Sequence, residues 1–159
     1  MPTFKVVISD PMTGLSKQVE VKDPTAQAFI GRKIGDVLDG KILGLPEGIK
    51  IQITGGSGNE GSPLLPFIEG PVKRYALLSG PPGFHPRRRG ERRRKLVRGN
   101  TITDTVSQIN VKIIYPPNWD KGPIITWEVI GKQPKNKRIQ KLYEKKIKEA
   151  TKLASQTGK

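Results

Sequence analysis

At 159 residues, with no cysteine, one histidine and 34% hydrophobic residues, the chain has room for one domain and some additional structure but hardly for two, and it excludes disulfides and thiolate zinc sites. Its formal charge of +15 is confined to two stretches: Phe84 to Gly99 holds eight Lys/Arg against one Glu, a net of +7, and Lys132 to Lys159 holds ten against two, a net of +8. Everything else sums to zero, so a neutral body carries two cationic attachments, the pattern that answers a polyanion such as nucleic acid.

The opening MPTFKVVIS lacks the basic start and long apolar run of a signal peptide, and no stretch approaches the roughly 20 apolar residues that span a bilayer, so the sequence reads as soluble and cytoplasmic. Phe4, Val6 and Ile8 alternate with Lys5, Val7 and Ser9, and Val19 and Val21 repeat the pattern after Asp10-Pro11 and Thr13-Gly14, which predicts an opening hairpin or meander. Asp23-Pro24 supplies a cap and a first-turn proline for a short helix from about Pro24 to Ile30, ending near Gly31. Gly35, Gly40, Gly44 and Gly48 recur too often for a long helix, and short strands are expected around Val37 and Ile42.

Ile49, Ile51 and Ile53 alternate strictly with Lys50, Gln52 and Thr54, followed by a glycine-rich loop from Gly55 to Gly61. Further strands fit Val72 to Leu78 and Ile109 to Tyr115. Short strands at regular intervals, separated by glycine and proline, predict a mainly β body, a small barrel or sandwich. The pattern changes after Pro116-Pro117. From Lys137 onward Ile139, Leu142, Tyr143, Ile147, Ala150 and Leu153 fall at three- and four-residue spacing, an amphipathic α-helix over about 137–154 with a lysine-covered face. The organisation expected is a body over residues 1–116 and an extension over 117–159.

Gly56-Ser57-Gly58-Asn59-Glu60-Gly61 satisfies GxGxxG after a good strand, but Pro63 and Pro66 interrupt the helix a dinucleotide site needs, and Ser62 stands where a Walker lysine belongs. It reads as an ordinary turn, with backbone approach of Gly55, Gly56 and Gly58 to an RNA phosphate as the functional variant. His85 has no serine placed as its nucleophile and no cysteine to share a metal, so it reads as a loop or stacking residue. No catalytic or metal-ligating residue, no cofactor and no small-molecule substrate is indicated.

The run Arg87-Arg88-Arg89-Gly90-Glu91-Arg92-Arg93-Arg94-Lys95 is different in kind, because seven of nine residues are cationic and six of those are arginine. Arginine forks bind phosphate bidentately and stack on bases, which lysine does poorly. So many like charges repel, so the run should order fully only against a polyanion. The bland readings are a solvated loop or a localisation patch; strand patterns resume after it, which makes it a loop inside the fold. The basic helix has membrane and partner-protein readings as well, but its thin apolar stripe suits RNA or a neighbouring protein better than a bilayer.

Pro86 to Gly99, PRRRGERRRKLVRG, resembles the signature of the S6e family of archaeal and eukaryotic small-subunit ribosomal proteins. Ile8-Ser9-Asp10-Pro11-Met12-Thr13-Gly14 resembles its I-S-x-P-x-T-G, and the Gly55-Gly56 turn, Gly61 and Pro63 follow in its order. The resemblance runs from about Phe4 to Ile114, with a looser echo in Pro134-Lys135, Lys137-Arg138-Ile139 and Lys141-Leu142-Tyr143. Ser62 and Leu64 depart from the phenylalanine and methionine that often flank Pro63 there, and the long serine-bearing tail of eukaryotic members has no counterpart, which implies an archaeal-type member. The resemblance implies a β-barrel body seated on ribosomal RNA, with neighbouring small-subunit proteins as partners and an architectural, non-enzymatic role. The residues expected at RNA are Arg87, Arg88, Arg89, Arg92, Arg93, Arg94, Lys95 and Arg98 in the run, and Lys135, Lys137, Arg138 and Lys141 in the extension. The alternatives are an extra-ribosomal RNA- or DNA-binding regulator and a nucleotide-using enzyme built on the Gly56 loop.

Overall fold

In a computed structural model of the chain, residues 2–119, 121–131 and 136–157 are described. The strands are β1 (Phe4–Ser9), β2 (Ser16–Val21), β3 (Val37–Asp39), β4 (Lys50–Gly58), β5 (Lys73–Leu78), β6 (Arg93–Arg98) and β7 (Val106–Ile114); the helices are α1 (Trp127–Ile130) and α2 (Lys137–Thr157). A five-stranded mixed sheet runs β2-β1-β7-β4-β3, with β1 parallel to β7 and the other pairs antiparallel.

Register follows from alternation. Val6 lies opposite Ile109, Ile8 and Ile53 opposite Val111, and Ile51 opposite Ile113, so one face of three strands becomes a continuous aliphatic layer. Phe4, Ala26, Phe29, Ile49, Ile102 and Val106 complete this core, all essentially buried. Each of the valine, isoleucine and phenylalanine side chains among these contributes about 1.5–3 kcal/mol by leaving water.

The expected barrel does not form. β2 and β3 are free edges, and β5–β6 is a separate two-stranded ribbon; among the described residues, isolated bridges of Ser57 with Pro63 and of Leu64 with Arg98 link it toward the main sheet. β3 is three residues long, and β4 is bent by register shifts between Ile53 and Gly55 and between Ser57 and Gly58, so the chain beyond Gly58 peels away to make the ribbon. A second small core, Leu65, Ile68, Leu78, Phe84 and Val97, lies under that ribbon.

Four local expectations change. The predicted helix after Pro24 is a single 3-10 turn, Thr25–Ala28, which buries Ala26 and Phe29 at the three-residue spacing such a turn brings to one side, and Asp23 makes no cap bond. Ile42 lies in another 3-10 turn, Gly40–Leu43, started by the Asp39 carboxylate accepting from the Lys41 amide and stopped by Gly44 at φ +72°. Residues 55–58 are strand, not loop, because β7 pairs with them to Val106. Arg93, Arg94 and Lys95 likewise belong to β6 and pair with β5, since Val97 alternates inward beneath them.

The chain after β7 returns to the main core through Trp119 and Ile125. Asp10, 1% exposed, holds it there: its carboxylate accepts from the Met12 amide at 2.8 Å, the Tyr115 hydroxyl at 2.8 Å, and the Ile124 and Ile125 amides at 3.2 and 3.1 Å. The Thr13 hydroxyl donates to the Ile125 carbonyl at 3.0 Å. Burial, with Asp10 beside it, pushes the Tyr115 phenol well above its ordinary range. α2 then leaves the body, with Tyr143 edge-on to Trp127 at 6.0 Å and Lys146 beside the β1–β2 turn.

Candidate nucleic-acid interface

The arginine-rich stretch is the far end of a hairpin: β5, a connection over 79–92, and β6. Two devices give that connection a shape despite its charge. Phe84 is buried in the second core with the Lys95 ammonium 5.5 Å from its ring centroid, which ties the connection down at mid-length. Glu91 staples the tip: its carboxylate accepts from the Arg87 amide at 2.8 Å and from Arg93 Nε at 2.9 Å, while the Glu91 amide donates to the Arg88 carbonyl. The Arg87 amide first, then the Arg93 charge and the Arg88 amide, hold the Glu91 carboxyl below its usual range. Sequence reasoning counted Glu91 only as a charge offset. Its being the one acid in the run was the available signal.

With the backbone held this way, Arg87, Arg88, Arg89, Arg92, Arg93, Arg94 and Lys95 are all exposed. Arg87, Arg88, Glu91 and Arg93 line an open notch of about 340 Å³. Arg94 lies over the exposed ring of Tyr75, its guanidinium carbon 5.5 Å from the centroid.

Arg98 is placed differently from the other seven. It is 9% exposed, and its guanidinium donates to both Glu60 oxygens at 3.0–3.1 Å and to the Thr105 hydroxyl at 2.6 Å. Its fork is occupied inside the protein, where it fastens β6 to the loop after β4. Lys73 adds a second cation to Glu60 at 3.0 Å. The Glu60 carboxyl is held down at about 2, first by its own backbone amide, then by Lys73, with smaller help from Ser62 and Arg98 against the upward push of desolvation.

The glycines have a packing use. A Cβ on Gly56 would collide with the Gln108 carbonyl oxygen of β7, and one on Gly58 with Arg98 Nε, so both mark close approach. The Gly58 amide donates to the Ser62 carbonyl and the Gly56 carbonyl accepts from the Leu64 amide, while Gly55 faces Asn110 in the β4–β7 ladder. No phosphate-binding helix follows them. His85 is exposed at the edge of a shallow groove of about 500 Å³ that Glu60, Ser62 and Lys95 also line. Lys137, Arg138 and Lys141 are exposed on the first turns of α2, away from the ribbon in sequence, and Lys135 lies outside the described residues. Among the described residues no group of three or more His, Asp or Glu side chains is arranged to hold a metal ion, and no helix is long and apolar enough to cross a membrane.

A five-stranded mixed sheet with a separate two-stranded ribbon that ends in a stapled cluster of exposed guanidinium groups defines a mainly β protein with a C-terminal helix. The family described as Ribosomal protein S6e matches residues 4–120. Similar proteins include small ribosomal subunit protein eS6 of Caldivirga maquilingensis, 58% identical over 129 residues that cover 79% of this chain and 86% of that one. The eS6 proteins of Pyrobaculum islandicum (59% over 129 residues, 79% and 87%) and Methanocaldococcus jannaschii (54% over 114 residues, 72% and 84%) are comparably similar. The chain belongs to the ribosomal protein S6e family, and it is of the archaeal type. The family is structural and not enzymatic.

Proposed function

We propose that this chain is a structural constituent of the small ribosomal subunit that binds ribosomal RNA through the 84–99 ribbon end, with the basic face of α2 as a second contact. The observation that carries the reading is the stapled tip: one buried phenylalanine and one glutamate fix the backbone, and Arg88, Arg89 and Arg92 are exposed with no side-chain hydrogen bond or ion pair to the other described residues. Neutral protein would gain nothing from such a concentration of fixed positive charge, whereas RNA phosphates release counterions to it. Lys137, Arg138 and Lys141 extend the positive field along α2, reaching further RNA or a neighbouring subunit protein. Arg98 works from within, holding the ribbon to the body.

The test replaces Arg88, Arg89 and Arg92 together by Gln. RNA affinity of the wild type should fall with salt at a slope of about −0.7 to −0.9 per phosphate contact. The variant should show a slope shallower by about 2–3, near-unchanged thermal unfolding and poor incorporation into small subunits. Wild-type incorporation with an unaltered slope places the RNA site elsewhere. Co-sedimentation with small subunits in moderately high salt separates a resident component from a reversible regulator.

A further inference from the structure

The ribbon has two faces; the inner one packs on the second core, and on the outer one only the root, where Glu60 engages Arg98 and Lys73, is accounted for by contacts within the described residues. In the β5–β6 register Ala76, Leu78 and Val97 turn inward onto the second core, while Lys73, Tyr75 and Leu77 of β5 lie on the outer face with Arg94, Leu96 and Arg98 of β6 opposite them. A ribbon face exposed to water ordinarily carries polar side chains. Here Tyr75 is 60% exposed and Leu77, directly opposite Arg94, is 61% exposed. Two large apolar side chains at alternate positions of one strand form a small platform, and the Arg94 guanidinium lies over the Tyr75 ring.

We infer that the outer face of the β5–β6 ribbon, Tyr75 with Arg94 and Leu77, is a stacking platform for one unpaired RNA base. The inference rests on the RNA-binding reading and adds to it a nucleotide site distinct from phosphate neutralisation. A tyrosine ring beside a guanidinium offers a flat π surface and a fixed positive charge in the same place, so a base and its adjoining phosphate are both satisfied there. The base must be unpaired, because both faces of a paired base are already covered in its helix, and splayed loop or bulge bases are the ones aromatic side chains accept. Charge complementarity selects RNA over an apolar protein surface. Arg94 shares this face with Tyr75 and Leu77, and the exposed Arg92 precedes it by two residues, so a neutral protein laid over the platform would desolvate cationic side chains with no counter-charge.

The experiment uses the full chain and two hairpin RNAs with the same stem, one fully paired and one carrying a single unpaired 2-aminopurine bulge. Wild type should bind the bulged RNA more tightly, with a change in 2-aminopurine fluorescence. Tyr75→Ala should lose that advantage, weakening bulged-RNA binding roughly 5- to 100-fold. Its affinity for the paired stem and its salt slope should stay as in wild type, while Tyr75→Phe should keep both the advantage and the fluorescence change. Because Tyr75 is exposed, the Ala variant should keep the wild-type circular dichroism. Equal affinity of wild type for the two RNAs, or equal loss in Phe and Ala, overturns the stacking platform. Retained salt-dependent binding to the paired stem then leaves the phosphate reading standing, whereas absence of binding to either RNA removes both. Capture of an apolar peptide by this face, competed by neither RNA, would likewise overturn it in favour of a protein partner.

Discussion

Asp10 illustrates how much of this molecule depends on single polar groups. Its carboxylate is the meeting point of the β1–β2 turn, Tyr115 at the end of β7, and the returning segment at Ile124 and Ile125. Replacing it by Ala takes the acceptor from the Met12 and Ile125 amides and the Tyr115 phenol, while the Ile124 amide keeps the Tyr115 hydroxyl oxygen, so Asp10→Ala should cost about 3 kcal/mol or more in denaturant unfolding, and Asp10→Asn, which retains one carbonyl acceptor, should cost less. An Ala variant as stable as wild type would mean that water replaces the carboxylate there. At the same scale, Glu60 and Arg98 form a local lock. The folded Glu60 binds its proton more weakly than the unfolded chain does, so its stabilising effect is complete above the ordinary value of 4.5 and drains away as pH falls toward about 2. Glu60→Gln should therefore lower the unfolding midpoint at pH 7, and the gap from wild type should close over that window. A gap that persists unchanged at pH 2 would show that the lock is steric and not ionic.

Between elements, close approach decides what the glycines are for. β7 lies so near β4 that a Cβ on Gly56 meets the Gln108 carbonyl, whereas one on Gly55 meets nothing within 4 Å. Gly56→Ala should destabilise by about 2 kcal/mol or more, because backbone must part from backbone in the middle of the sheet. Gly55→Ala should be neutral or slightly stabilising, through a less flexible unfolded chain. Thermal unfolding of the two variants checks the contrast; similar losses for both would point to a shared conformational requirement instead. If either glycine lent its backbone to a phosphate, the Ala variant would lose RNA affinity out of proportion to stability.

The whole molecule divides its work between a neutral sheet that folds by burial and a ribbon end that carries charge at a distance from it. This separation lets the arginines accumulate. Placed over the main core, seven like charges would oppose compaction, but projecting from a hairpin with its own small core they cost the sheet little. Only Arg98, at the root of the hairpin, is drawn inside, and it finds two acceptors there.

Much of this was legible beforehand for a physical reason. Alternation of Phe4, Val6 and Ile8, of Ile51 and Ile53, and of Ile109, Val111 and Ile113 can bury only one face of an extended chain, so the central strands follow from the residues themselves. The three- and four-residue spacing of Ile139, Leu142, Tyr143 and Ile147 likewise sets α2, and the charge count locates the cationic segment. Family membership was legible too, in the arginine run and the Asp10 turn. Which edges remain open was not, because local alternation says nothing about whether β2 and β3 meet. Nor did the run itself tell which of its arginines face solvent. Arg98 and Arg94 look alike in the sequence, and only the tertiary structure sets one against Glu60 and the other over Tyr75, since that choice depends on Glu60, 38 residues away, being brought to the root of the ribbon by the bend in β4.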